Sequence, residues 1–143
     1  MTAHGHTLDV NAPSEAVWRI WSEPATWGQW NPDVQSVTLD GPFAAGTTEV
    51  MVNKTGRRHD IRIASVTPGR SFRLEARPIP LTRFDFTCEV EPAGEGRSRI
   101  SQRVSFGGPG AILGPMMGKQ VSASFPGILR ALAERAEATQ ASS

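Results

Sequence analysis

The sequence predicts one α+β domain in which an antiparallel sheet curls around a long C-terminal helix and encloses an apolar cavity. Apolar residues alternate over about seventy positions in mid-chain, and turn residues cut that stretch at hairpin spacing. A helical apolar stripe follows at the C-terminal end. The 143 residues, 38% of them hydrophobic, are enough for one core and too few for two without metal or disulfide support. The single cysteine, Cys88, permits no internal bridge and reads as a small buried apolar residue.

Charge narrows the function classes. Fifteen Lys and Arg against 14 Asp and Glu leave a net charge of +1, with no field to draw the protein to nucleic acid or anionic lipid. The densest basic groups, Lys54 with Arg57 and Arg58, and Arg97 with Arg99 and Arg103, fit solvated strand ends. Met1 to His6 lacks the basic and apolar blocks of a signal peptide, and no stretch approaches the roughly 18 apolar residues of a membrane span. The expectation is a soluble, cytoplasmic monomer or homodimer.

The elements follow in order. His4, His6, Leu8 and Val10 alternate with Gly5, Thr7 and Asp9, a strand period. Asn11-Ala12-Pro13-Ser14-Glu15 opens a helix whose apolar face carries Val17, Ile20 and Trp21, and Pro24 ends it. A short helical turn from Ala25 to Trp30 closes at Asn31-Pro32. Strands follow around Val37–Leu39, Thr47–Val52, Ile61–Ile63, Phe72–Ala76, Phe84–Val90 and Ile100–Phe106. Gly107-Gly108-Pro109-Gly110, with no Gly-Lys-Ser/Thr after it, is a hinge and no phosphate loop. A helix over 115–138, kinked at Pro126, would span roughly 36 Å and cross the whole sheet. Residues 140–143 read as a disordered tail, so residues 1–143 form a single domain.

Most of the chain, from about Leu8 to Ala136, resembles the START/Bet v 1-like (SRPBCC) superfamily, in its bacterial polyketide cyclase/dehydrase and lipid-transport branch. The resemblance is carried by Val10-Asn11-Ala12-Pro13-Ser14-Glu15-Ala16-Val17-Trp18 and by Trp27-Gly28-Gln29-Trp30-Asn31-Pro32-Asp33-Val34. It implies a helix-grip fold with six or seven strands, two short helices after the first strand, and a hydrophobic ligand or a polyketide substrate. No cofactor comes with it.

Alternation assigns the cavity wall. The covered face carries His59, Ile61, Ile63 and Ser65, then Phe72 and Leu74, then Phe84, Phe86 and Cys88, and finally Gln102, Val104 and Phe106. Met116, Met117 and Gln120 join from the helix. Arg73, Glu75, Arg83, Asp85 and Arg103 fall on the opposite, wet face. Few titratable groups point inward, and the chain has no tyrosine. His4, His6 and His59 offer three imidazoles but no metal-ligand spacing, so no metal is expected. Trp27 and Trp30 either pack the short helix on the sheet or clamp a ligand. The favoured reading is therefore a binding protein for a small hydrophobic molecule, lipid or polyketide-like. The alternatives are a polyketide cyclase/dehydratase-type enzyme and a protein-interaction module of co-chaperone type.

Overall fold

The computed structural model describes residues 4–79 and 81–141. Seven strands form one antiparallel sheet: β1 (His4–Val10), β2 (Val34–Leu39), β3 (Thr48–Asn53), β4 (Arg58–Thr67), β5 (Ser71–Ile79), β6 (Thr82–Pro92) and β7 (Ser98–Gly107). Their order is β1-β7-β6-β5-β4-β3-β2, so every strand but the first pairs with its sequence neighbour and β1 returns to close on β7. Between β1 and β2 stand helix α1 (Ser14–Trp21) and a 3-10 segment (Pro24–Gln29). After β7 a second 3-10 turn (Pro109–Leu113) leads into α2 (Gly114–Ser122) and α3 (Phe125–Ala141). This is the helix-grip architecture that the sequence predicts.

The inner face follows the ladder. Phe72 stands opposite Cys88, and Cys88 opposite Gln102; Leu74, Phe86 and Val104 form the next row. Val10, Ile63, Val90, Ile100 and Val104 are sealed beneath α1 and α3, whose Val17, Leu129, Leu132 and Ala136 complete the core. Trp18, Trp21, Trp27 and Phe43 close around Phe72, with ring centroids 5.3–6.3 Å apart. The outer face is laced with ion pairs, among them Arg62–Glu75 at 2.9 Å, Arg99–Asp9 at 2.9 Å and Arg103–Glu89.

Four details depart from the expectation. Ile63 pairs with Leu74 but Ser65 already pairs with Arg73, so β4 carries a bulge there. The extra residue flips parity: Ser65 is exposed on the wet face and Val66 turns inward opposite Phe72. Asp85 does lie on the outer face, opposite Glu75 and Ser105, yet it is buried. Arg83 covers it, donating from Nε to both carboxylate oxygens at 2.9 and 3.2 Å. The C-terminal helix is two helices, interrupted at Ala123 and Ser124, with Pro126 in the first turn of α3. That helix runs through Gln140 and Ala141, where a tail was expected, and Ser142 and Ser143 lie outside the described residues.

Candidate functional site

Between the sheet, the 3-10 segment and the two C-terminal helices lies a cavity of about 260 Å³. Its floor is Ile61, Phe72, Leu74, Phe86, Cys88 and Gln102. Trp21, Trp27 and Trp30 make one wall; Val121, Ser124, Phe125 and Ile128 make the other. Met51, Asn53 and His59 stand at the β3–β4 end, near Asn31, Asp33 and Val34. The wall is mostly apolar, and among the described residues no Arg or Lys contributes to it.

Of the residues assigned to the pocket by alternation, His59, Ile61, Phe72, Leu74, Phe86, Cys88 and Gln102 lie on this wall. Ile63, Phe84, Val104 and Phe106 point inward but are sealed in the core, Phe84 and Phe106 packing edge to face at 4.8 Å. Met117 packs against the core without reaching the cavity. Met116 and Gln120 are corrections: Met116 is 71% exposed and Gln120 faces solvent. The reason is glycine. α2 rests on the sheet through Gly114 and Gly118; a Cβ at Gly118 would overlap the His4 ring, and one at Gly114 would meet Phe106 Cδ2 at 3.2 Å. Only bare backbone approaches so closely, so the small residues turn inward and Met116 and Gln120 turn out.

Burial displaces the pKa of three titratable groups on the inner face, His59, Cys88 and Glu49. Asn53 Oδ1 accepts from the Thr55 and Arg57 backbone N–H groups and from the Thr55 hydroxyl. Its orientation is thereby fixed, and Nδ2 donates to His59 Nε2 at 3.4 Å. His59 therefore carries its proton on Nδ1. Burial, then the Arg57 charge, hold this imidazole below its ordinary range, with Asp60 opposing. Burial pushes the Cys88 thiol up to about 12, so it is no nucleophile at neutral pH.

Glu49 is the residue that alternation missed. It stands opposite Leu39 and Ile61, on the inner face, 2% exposed. Neither carboxyl oxygen finds a hydrogen-bond partner, and burial pushes its pKa up to about 7. Val50, Met51 and Val52 beside it are all apolar, so hydropathy alone assigns no face to β3. The available signal was the ladder itself: Met51 pairs with Val37 and His59, which places Glu49 two residues away on the same face.

The three histidines do not converge. His4 and His6 lie on β1, separated from His59 on β4 by three intervening strands. Among the described residues no group of three or more His, Cys, Asp or Glu could hold a metal ion. A broader, open depression of about 900 Å³ crosses β2–β5, walled by charged side chains such as Asp60, Arg62, Glu75 and Arg77. Their ion pairs already satisfy one another, and it lacks the apolar wall of the inner cavity.

Comparison with known proteins places this geometry. No curated protein matches the sequence. Solved structures match the fold across nearly the whole chain. A START superfamily protein from Mycobacterium smegmatis superposes with a TM-score of 0.74 at 16% identity, over 96% of this chain and 98% of its own. Norcoclaurine synthase from Thalictrum flavum, as a point mutant with a transition-state analogue, gives 0.74 at 15% identity over 97% and 96%. The di-domain ARO/CYC BexL from the BE-7585A biosynthetic pathway gives 0.79 at 18% identity, over 96% of this chain and 47% of its own. The sequence itself matches a family model over residues 2–137, and with the grip fold built around an apolar cavity the chain belongs to the polyketide cyclase/dehydrase and lipid transport family.

Proposed function

We propose that the protein binds a small hydrophobic molecule in the cavity between the sheet and the C-terminal helices. The observation that carries this reading is the wall itself: Phe72, Leu74, Phe86, Trp27, Phe125 and Ile128 face a common space of about 260 Å³. An apolar cavity of roughly 150 Å³ takes benzene, so this one suits a molecule of one or two rings. Burial of the ligand's surface at about 25 cal/mol per Å² drives binding. His59, held neutral, and Cys88, held protonated, add no charge that such a ligand would have to desolvate.

One observation favours a second reading, a cyclase/dehydratase-type enzyme. Glu49 stands beside the cavity residues Ile61 and Met51 and titrates near neutrality, where a general acid or base works best. An apolar, environment-sensitive dye titrated into the protein tests the first reading. Saturable one-to-one binding that Phe86→Ala alters supports it, and an absence of saturable binding overturns it. A short poly-β-keto thioester tests the second: turnover that Glu49→Gln lowers by about 10²-fold or more makes the protein an enzyme, and an untouched substrate removes that reading.

A further inference from the structure

Four large apolar side chains are exposed among the described residues: Leu81, Ile112, Leu113 and Met116, at 72, 86, 53 and 71%. All four belong to one corner of the molecule. Leu81 stands in the β5–β6 turn, while Ile112, Leu113 and Met116 lie on the outward side of the second 3-10 turn and of α2. The two segments are tied together: the Leu81 carbonyl accepts from Gly110 N–H at 2.8 Å, and a Cβ at Gly108 would overlap that same oxygen. Exposed apolar residues scattered singly are ordinary, whereas a contiguous set marks a contact surface.

Leu81 carries a second mark. Its φ of 64° makes it the one non-glycine among the described residues with a positive φ. A turn that needs this backbone is better served by glycine or asparagine, and water accepts either more readily than leucine. A side chain that is 72% exposed recovers neither penalty inside the fold, so it answers to something outside it.

Charge and area say what that is. The segments that build the corner, residues 76–84 and 107–123, contain no Asp or Glu and carry Arg77, Arg83 and Lys119. Arg83 is engaged with Asp85, but Arg77 is 69% exposed and reaches Glu75 only at 4.0 Å. Lys119 is exposed on the same outward side of α2, three residues from Met116. An apolar patch rimmed by cations matches a bilayer, which offers anionic headgroups above an apolar interior. Area argues against a protein partner: four side chains expose a few hundred Å², short of the roughly 800 Å² that each side of a standard interface contributes.

We propose that this corner is a membrane-docking surface: Leu81, Ile112, Leu113 and Met116 enter the acyl boundary of a lipid bilayer while Arg77 and Lys119 meet anionic headgroups. The net charge of +1 draws the chain to no membrane from a distance, so docking depends on this corner. It goes beyond the binding reading and is tested apart from it, since none of these six residues lines the cavity.

Flotation with phosphatidylcholine vesicles, pure or with one third phosphatidylglycerol, measures the contact. The expected result is binding to both, roughly tenfold tighter to the anionic vesicles at low salt. Leu81→Asn suits the turn better than leucine, so it folds at least as well, yet it lowers the affinity for either vesicle about tenfold. Ile112→Asn does the same. Arg77→Gln combined with Lys119→Gln removes the anionic preference and leaves binding to pure phosphatidylcholine. The dye titration that reads the cavity stays as in wild type throughout. Failure of the wild type to float with either vesicle overturns the proposal. Flotation that Leu81→Asn and Ile112→Asn leave intact overturns it too, as does flotation confined to anionic vesicles and abolished by high salt, which is general electrostatic adhesion. If the wild type instead self-associates in light scattering and Ile112→Asn dissolves the complex, the corner belongs to a second copy and bilayer docking falls.

Discussion

The Glu49 carboxyl makes the fold's stability depend on pH in a direction opposite to that of a paired acid. In the folded chain it lies between Leu39 and Ile61, 2% exposed and without a partner, and its pKa rises from 4.5 to about 7. The unfolded chain releases this proton near 4.5, whereas the folded chain holds it until about 7. Across that window the folded state binds more protons, so stability falls as pH rises and then levels off. About two and a half pH units at 1.36 kcal/mol each give a loss of about 3 kcal/mol by pH 8. Urea denaturation of wild type and Glu49→Gln at half-unit steps from pH 4.5 to 8 measures it. The amide cannot titrate, and the contributions of His59 and the surface acids cancel in the difference. Glutamine leaves an unpaired polar group of its own, so the two curves carry a constant offset of about 1–3 kcal/mol. The stability difference, variant minus wild type, grows by about 3 kcal/mol with rising pH. A difference flat in pH, or one that shrinks, refutes the burial of an unpaired carboxyl. Glu49→Leu extends the logic: it is more stable than wild type at pH 8 and loses most of that advantage at pH 4.5.

Other perturbations read the rest of the structure. Gly28→Ala drives a methyl into the Gln35 carbonyl oxygen and costs about 1–3 kcal/mol in thermal or urea unfolding. A stability equal to wild type would mean that the 3-10 segment is not pinned on β2. Leu81, at φ 64° and 72% exposed, strains the β5–β6 turn for no buried contact. Leu81→Asn keeps the left-handed backbone at lower cost and raises the melting temperature. Asp85→Ala removes both hydrogen bonds from Arg83 Nε, leaves that guanidinium with Glu75 Oε1 at 3.7 Å, and lowers stability in a manner insensitive to moderate salt. Loss of the whole effect in 0.5 M salt would class the pair as an ordinary surface contact.

The sequence made the fold legible because its strand patterns are one-sided. Within 72–76, 84–90 and 100–106 inner and outer residues alternate without a slip, and every inner residue expected there is inward in the ladder. The pattern failed where one residue was added or where polarity was inverted. Nothing local distinguishes Ala64-Ser65-Val66 from a regular strand, so the bulge that turns Ser65 outward is visible only in the pairing with β5. In β3 the inverted residue is Glu49 itself, which occupies a position where hydropathy asks for an apolar side chain. Asp85 misled in a third way: parity sets the face, but the cover on that face comes from Arg83, and alternation says nothing about covers.

Pro126 was legible as a kink, and the kink is what gives the cavity its room. Without an N–H, Pro126 cannot bond the Ser122 carbonyl, and α2 ends there. Ser124 bridges the gap, its hydroxyl donating to the Val121 carbonyl at 3.3 Å while its own carbonyl accepts from Ile128 N–H at 3.1 Å. On either side of the break the helices lie hard against the sheet, through Gly114 and Gly118 before it and through Leu129, Leu132 and Ala136 after it. At the break itself Val121, Ser124, Phe125 and Ile128 stand back from Phe86, Cys88 and Gln102, with the Phe86 and Phe125 rings 6.5 Å apart. A continuous helix would carry the same close approach across this row and fill the space with its own side chains. The cavity sits under the interruption because that is where the close contact is suspended.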